Sequence, residues 1–253
     1  MMRTVKKVIS IILIMTIMAA TFCSCDLIFG SKTAEEVISA ADAVLAEKPH
    51  AITTAIVYSS DNEELNETIA KIKTPLIKTE VNGEAFRMSV TFVDPQKPDD
   101  ITDTEAAVYT YVDGTLYTQI TENGKVTNTT TEITDKNKDD IVSGGITVGV
   151  DDFDNVDCKT ISKASVVTCS GIKSEPLDKL IADLENTLPI EDSVVAIKDG
   201  VLIITTAEDA YVSMIFTCSY VITTPTATYT VVMACTSIYE YDQELEISAP
   251  DFD

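Results

Sequence analysis

The sequence predicts an α+β domain: one antiparallel sheet with helices laid on its apolar face. Three observations carry this. About ten segments rich in Val, Ile, Thr and Tyr are joined mostly by short turns, and short connections mean antiparallel pairing. Amphipathic stretches open the domain and recur late in the chain. In the last pair of strands apolar residues alternate with polar ones, so one face of the sheet is dry and the other faces water. The chain carries 34 Thr in 253 residues, a composition that suits half-wet strands.

Thr33 to Lys48 reads as a helix. Thr33 caps it, Glu36 completes a capping box, and Val37, Ile38, Ala41, Val44 and Leu45 form one apolar stripe before Pro49 ends it. Ala51 to Ser60 is a strand. Asp61 to Lys73 spaces Leu65, Ile69 and Ile72 helically and reads as a short helix. Leu76–Val81 and Ala85–Val93 form a hairpin about Asn82-Gly83. Asp94 to Asp103 is an acidic loop. Ala106–Val112 and Thr115–Thr121 pair about Asp113-Gly114, and Glu122 to Lys125 turns into Val126–Thr134. Asp135 to Ser143 reads as a short helix before Gly144-Gly145.

Val156–Ile161 and Val166–Gly171 then form a hairpin. Glu175 to Thr187 is the second strong helix, lined by Leu177, Leu180, Ile181 and Leu184 and closed by Pro189. Val194–Lys198 and Val201–Thr206 read as a hairpin about Asp199-Gly200. Val212–Thr223 and Thr228–Glu240 form the longest hairpin, and Glu244 to Asp253 is an acidic tail. On that hairpin Val212, Met214, Phe216, Cys218, Tyr220 and Ile222 share a side with Tyr229, Val231, Met233, Cys235, Tyr239 and Tyr241. Residues on this stripe are either packed core or the wall of a pocket. The candidate ligand-facing set is Val212, Met214, Phe216, Tyr220, Ile222, Tyr229, Val231, Met233 and Tyr239.

The first residues read as an address. Arg3, Lys6 and Lys7 precede 13 uncharged residues, 8–20, too few for a membrane span of about 20. Phe22-Cys23-Ser24-Cys25 resembles the lipobox of bacterial lipoproteins, with a small residue before the Cys that is lipidated. Cys25 fits it, because Cys23 would follow bulky Phe22, although Phe22 stands where Leu is usual. The alternatives are an ordinary secretory signal or an uncleaved anchor. On the lipobox reading residues 1–24 are removed, 25–32 are a tether and 33–253 are one domain. Two or three acyl chains on one Cys, palmitate among them, hold a protein durably at a membrane.

Charge narrows the partners. The chain has 18 Lys+Arg against 41 Asp+Glu, a net −23. Loss of Arg3, Lys6 and Lys7 leaves 15 cations against 41 acids, −26. Nucleic-acid binding needs clustered cations, so it is excluded as a function class, and so is electrostatic docking on anionic lipid.

Catalytic signatures are sparse. His50 is the sole His, so His-based triads and multi-His metal sites are excluded. Asp151, Asp152, Asp154 and Asp157 crowd one stretch without EF-hand spacing and read as a solvated acidic loop. Arg87, the only Arg after the signal, is either an outward strand residue or a clamp for a carboxylate. The expectation is a non-enzymatic protein with no cofactor and no metal.

Four Cys remain beyond the lipobox: Cys158, Cys169, Cys218 and Cys235. Folding the first hairpin between Lys163 and Ala164 sets Cys158 opposite Cys169. Folding the second between Thr226 and Ala227 sets Cys218 opposite Cys235. These are candidate cross-strand disulfides; the alternative is buried free thiols acting as small apolar residues.

The order of elements resembles the LolA-like group of lipoprotein carriers and lipid-binding lipoproteins. Glu35–Lys48 and the strand after it, Val108 to Tyr117, Ser170 to Leu180 and the ending Ile247-Ser-Ala-Pro250 carry the likeness. It is one of order and texture across residues 33–250, and it transfers no functional residue. The resemblance implies a curved, unclosed barrel whose concave apolar side is covered by helices. It implies an extracytoplasmic, membrane-anchored lipoprotein that binds a lipid or other apolar ligand between sheet and helices. The alternative is an envelope interaction or sensor module with a filled core.

Overall fold

The computed structural model describes residues 32–71, 74–93, 106–122, 124–133, 148–174, 176, 180–181, 194–241 and 244–252. Eleven strands form one antiparallel sheet: β1 His50–Ser60, β2 Thr74–Asn82, β3 Ala85–Val93, β4 Ala106–Val112, β5 Thr115–Glu122, β6 Lys125–Glu132, β7 Phe153–Ile161, β8 Ala164–Ile172, β9 Val194–Ala207, β10 Ala210–Thr223 and β11 Thr228–Tyr241. Their spatial order is β6-β5-β4-β3-β2-β1-β11-β10-β9-β8-β7. Two meanders therefore run outward from a central pair, and β6 and β7 lie at opposite edges, so the sheet is not closed. That central pair joins the two ends of the domain over eleven rungs, from His50 opposite Tyr241 to Ser60 opposite Val231.

Helix α1 (Ala34–Glu47) starts where the capping box predicts. Thr33 Oγ1 accepts from the Glu36 N–H at 3.2 Å, and Glu36 Oε2 accepts from the Thr33 N–H at 2.8 Å. Helix α2 is shorter than predicted, Glu63–Ile69, with Asn62 Oδ1 accepting from the Leu65 N–H at 2.8 Å. Of the predicted late helix, Pro176, Leu180 and Ile181 are helical, as is Ser174 just before it; its other residues lie outside the described ones. The expected helix at 135–143 and loop at 94–103 also lie outside them.

Val37 and Ala41 of α1, Ile69 of α2 and Leu180 join one core with Phe216, Cys218, Tyr220, Ile222, Val231 and Met233 of the sheet. The sheet face bearing these residues is called inner here. The other face is outer.

One expected turn is corrected. The Asp199-Gly200 pair does not turn the chain: β9 runs straight through it with a register shift against β10 between Ser219 and Tyr220. Gly200 is needed for proximity, because a Cβ there would stand 2.9 Å from Ile172 Cγ2. The true β9–β10 turn is Glu208-Asp209, both at positive φ, a hairpin turn without glycine.

The acidic tail lies against the sheet. Residues Leu245 to Phe252 form an extended strap on the outer face. Asn82 Nδ2 donates to the Leu245 carbonyl at 2.8 Å, and the Phe252 ring meets Tyr117 edge-on at 5.9 Å. Between these anchors the outer row reads Ala51, Glu80, Arg87, Thr110, Tyr117 across β1–β5.

Glu80 is 8% exposed and takes Lys78 Nζ at 2.6 Å and Arg87 Nε at 2.8 Å. Arg87 is thus an outer-face residue committed to an internal carboxylate. Burial opposes ionisation of Glu80, but hydrogen bonds from Lys78 and Arg87 outweigh it and hold its carboxyl below the ordinary range. A lowered folded pKa contributes stability that is fully present above the ordinary Glu value of about 4.3 and disappears as pH falls through the folded value. Glu80→Gln is expected to cost about 1 kcal/mol at pH 7, since both cations remain nearly half-exposed. The difference between wild type and variant in urea unfolding should shrink as the buffer is taken into the acid range.

Candidate functional site

The inner face divides into two halves. Over β7–β11 and β1 it is filled. Tyr220, Leu202, Ile204, Ile222, Met233 and Val231 are each under 2% exposed or close to it, and α1 contacts β10 and β7 above them. Over β2–β5 the inner residues are found by register. Val81 stands opposite Phe86, Phe86 opposite Tyr111 and Tyr111 opposite Leu116; Met88 stands opposite Tyr109. Phe86 and Tyr111 stack at 5.5 Å with rings 19° apart. All six of these residues are half-buried, and the core cluster contains no residue of β2–β6.

The candidate ligand-facing residues mostly occupy the filled half. Phe216, Tyr220, Ile222, Val231 and Met233 are core, and Met214, Tyr229 and Tyr239 are partly buried against them. Val212 sits at a register shift between Tyr211 and Ser213, which moves Tyr211 onto the inner face in its place. Tyr211 Oη donates to Asp42 Oδ1 of α1 at 2.7 Å, and its ring lies 5.2 Å from that of Tyr239. Burial, then the Asp42 carboxylate, pushes the Tyr211 hydroxyl well up. Burial pushes Tyr239 up to about 12. Tyr211 therefore keeps its proton at neutral pH and latches helix to sheet. Sequence alternation missed it because a bulge breaks the period of two.

All four cysteines past the lipobox are free thiols. The predicted opposition is corrected by one rung in each hairpin. Cys158 stands opposite Val167 and Val156 opposite Cys169; Phe216 stands opposite Cys235 and Cys218 opposite Met233. The first turn is tighter than assumed because Ser162 takes φ 58°. In the second, Thr224 and Ala227 close the loop with a 2.8 Å backbone bond. Each pair is therefore diagonal, about 7–8 Å apart, beyond the usual disulfide limit of about 6.8 Å.

Burial pushes the Cys218 and Cys235 thiols up to about 11. Iodoacetamide at pH 7 is expected to leave Cys169 and Cys218 unmodified in the folded protein and to label all four positions in denaturant, as read by peptide mass mapping. Cys25 lies outside the described residues.

A cleft of about 390 Å³ opens at the other end of the sheet, lined by Thr160, Ser165, Thr206 and two lysines among others. It is polar, and its cations are paired: Lys32 with Asp209 at 2.6 Å and Lys163 with Glu208 at 2.8 Å. His50 is buried on β1, its Nδ1 2.9 Å from the Lys48 carbonyl oxygen. Asp151 and Asp152 lie in a 3-10 turn and Asp154 and Asp157 on β7; no group of three metal-ligating side chains is assembled among the described residues. No helix among these residues is long and apolar enough to cross a membrane.

A scan against protein-family models matches none, and a search of curated proteins finds no significant match. What the fold supports of the LolA-like expectation is its coarse form. The sheet is single, large, antiparallel and unclosed, with few helices, and it is compatible with an open barrel.

Proposed function

We propose that this protein is an extracytoplasmic lipoprotein, anchored by lipid on Cys25, that binds a lipid or other apolar ligand without chemical turnover. The sheet in this reading curves as a half-barrel, with its helices on the concave side. The observation that carries the proposal is the inner face of β2–β5. It presents Val81, Phe86, Met88, Tyr109, Tyr111 and Leu116 side by side, and none of them belongs to the packed core. Contiguous apolar surface of this kind marks a ligand or partner site. Four strands about 4.8 Å apart give a strip about 19 Å wide, enough for an acyl chain lying along the sheet.

The ligand location differs from the sequence expectation. The strands β9–β11 support the helices, and β2–β5 offer the surface. The filled half favours a second reading, an envelope interaction module, in which this apolar strip receives a protein. Native mass spectrometry of a secreted Cys25→Ser chain, purified without detergent, separates the two. A co-purifying lipid mass supports the carrier. A ligand-free chain that also fails to take up added fatty acid sinks it.

A further inference from the structure

At the end of the sheet that carries the turns Ser162-Lys163 and Glu208-Asp209, the inner face stops being apolar. Thr160 on β7 stands opposite Ser165 on β8, and Ser165 stands opposite Thr206 on β9. Three hydroxyls from adjacent strands thus form one row, about 4.8 Å apart. They line the cleft of about 390 Å³. Ser165 and Thr206 are 6% and 3% exposed. Thr160 and Ser165 bond each other at 2.9 Å, but the Thr206 hydroxyl makes no hydrogen bond among the described residues. A polar group buried without a partner costs stability, and a ligand that supplies the partner recovers it.

The rim of the cleft carries both signs of charge and is held in place. The Glu208 N–H donates to the Lys163 carbonyl at 2.9 Å, which ties one hairpin turn to the other. Lys163 pairs with Glu208 at 2.8 Å, and Lys32, just before α1, pairs with Asp209 at 2.6 Å. Each lysine keeps further N–H donors, and each carboxylate further lone pairs, for a bound molecule.

We propose that this cleft binds an uncharged, hydroxyl-rich group, a sugar ring or similar polyol. A polyol both donates and accepts, which matches a row of hydroxyls flanked by ammonium and carboxylate groups. An anion would sit beside Glu208 and Asp209, and a cation beside Lys32 and Lys163, so the balanced rim works against either. The volume falls at the lower end of the range of about 300–1,000 Å³ for small-molecule sites, which suits a small ligand. Lys32 is seven residues past Cys25, at most about 25 Å of chain. A chain anchored at Cys25 therefore keeps the cleft within reach of glycolipid heads as well as of free sugars. That point alone rests on the anchor; the site itself is independent of the apolar strip on β2–β5.

Two arms test it on the secreted Cys25→Ser chain. Saturation-transfer NMR with methyl glucoside, methyl galactoside and myo-inositol probes free polyols. Flotation with phosphatidylcholine vesicles, with and without a monoglycosyl diacylglycerol, probes the lipid head. Binding in the first arm assigns a soluble source; binding in the second alone, and only with the glycolipid, assigns a lipid head. In whichever arm binds, Thr206→Val should weaken binding about tenfold without lowering the urea midpoint, and Thr206→Ser should restore it. Lys163→Gln, which removes a charged donor from the rim, should weaken it as well. Absence of binding in both arms overturns the proposal and leaves the apolar-ligand reading standing. Binding that survives both Thr206→Val and Lys163→Gln also overturns it.

Discussion

Phe216→Ala is expected to destabilise the fold by about 3–5 kcal/mol, the largest cost of any single truncation proposed here. Phe216 is 5% exposed and lies on the inner face of β10, opposite Cys235 on one side and Leu202 on the other. Its ring meets Phe153 edge-on at 6.5 Å. Phe153 begins β7 immediately after the 3-10 turn Val150–Asp152. Phe216 therefore ties the middle of the sheet to its far edge. Truncation leaves a cavity that stiff strands on both sides cannot close, so the transfer and cavity costs add. Urea unfolding should show a lower midpoint with an unchanged slope. A cost below about 1 kcal/mol would mean that the site collapses freely and that the core is looser than described.

The joint substitution Phe86→Ala and Tyr111→Ala should behave in the opposite way. These two rings stack with each other but lie outside the core cluster. Their removal is expected to cost about 1–2 kcal/mol of stability, since one stacked pair and some half-buried area are lost. Affinity for a fatty-acid probe should fall by about 10–100-fold, read by displacement of a fluorescent fatty acid. The sizes of the two effects are thus exchanged between the two halves of one sheet face.

Much of this was legible in the amino-acid sequence. Period-two alternation assigned the inner side of β10 and β11 correctly from Met214 to Ile222 and from Tyr229 to Tyr239. The capping residues of α1 and the Asp113-Gly114 turn were also correct, because each is a local interaction among neighbours in the chain. What failed was non-local or broke the period. Gly200 looks like a turn residue, but it is held in a strand by Ile172, a side chain from β8. Tyr211 reaches the inner face only because the chain bulges before Ser213. The cysteine pairs shifted by one rung because turn length sets register, and Ser162 adopts a conformation rare for its type.

The proposed ligand strip and the ligand-facing residues expected from the sequence differ for a related reason. The apolar alternation of Phe86, Met88 and Val90 was present in the sequence, yet it has the same texture as the alternation of Phe216, Cys218 and Tyr220. Alternation identifies a dry face. It does not say which dry face a helix will cover, because that depends on where α1 docks across the sheet. Val37 and Ala41 find β10 and its neighbours, and Tyr211 and Asp42 fix the helix there. The same limit applies to the tail. The sequence marks it only as acidic, whereas Leu245 and Phe252 anchor it on the face that carries the Glu80–Arg87 pair.

The central claim is that one half of the inner face is core and the other half receives an apolar ligand. Photo-crosslinking with a diazirine-labelled fatty acid, followed by peptide mapping, tests it most directly. The account predicts adducts on β2–β5, at Phe86, Met88, Tyr109, Tyr111 or their neighbours, and none on Phe216, Tyr220 or Met233. Adducts confined to β9–β11 and α1, or no adduct above that of a non-binding control protein, would contradict it.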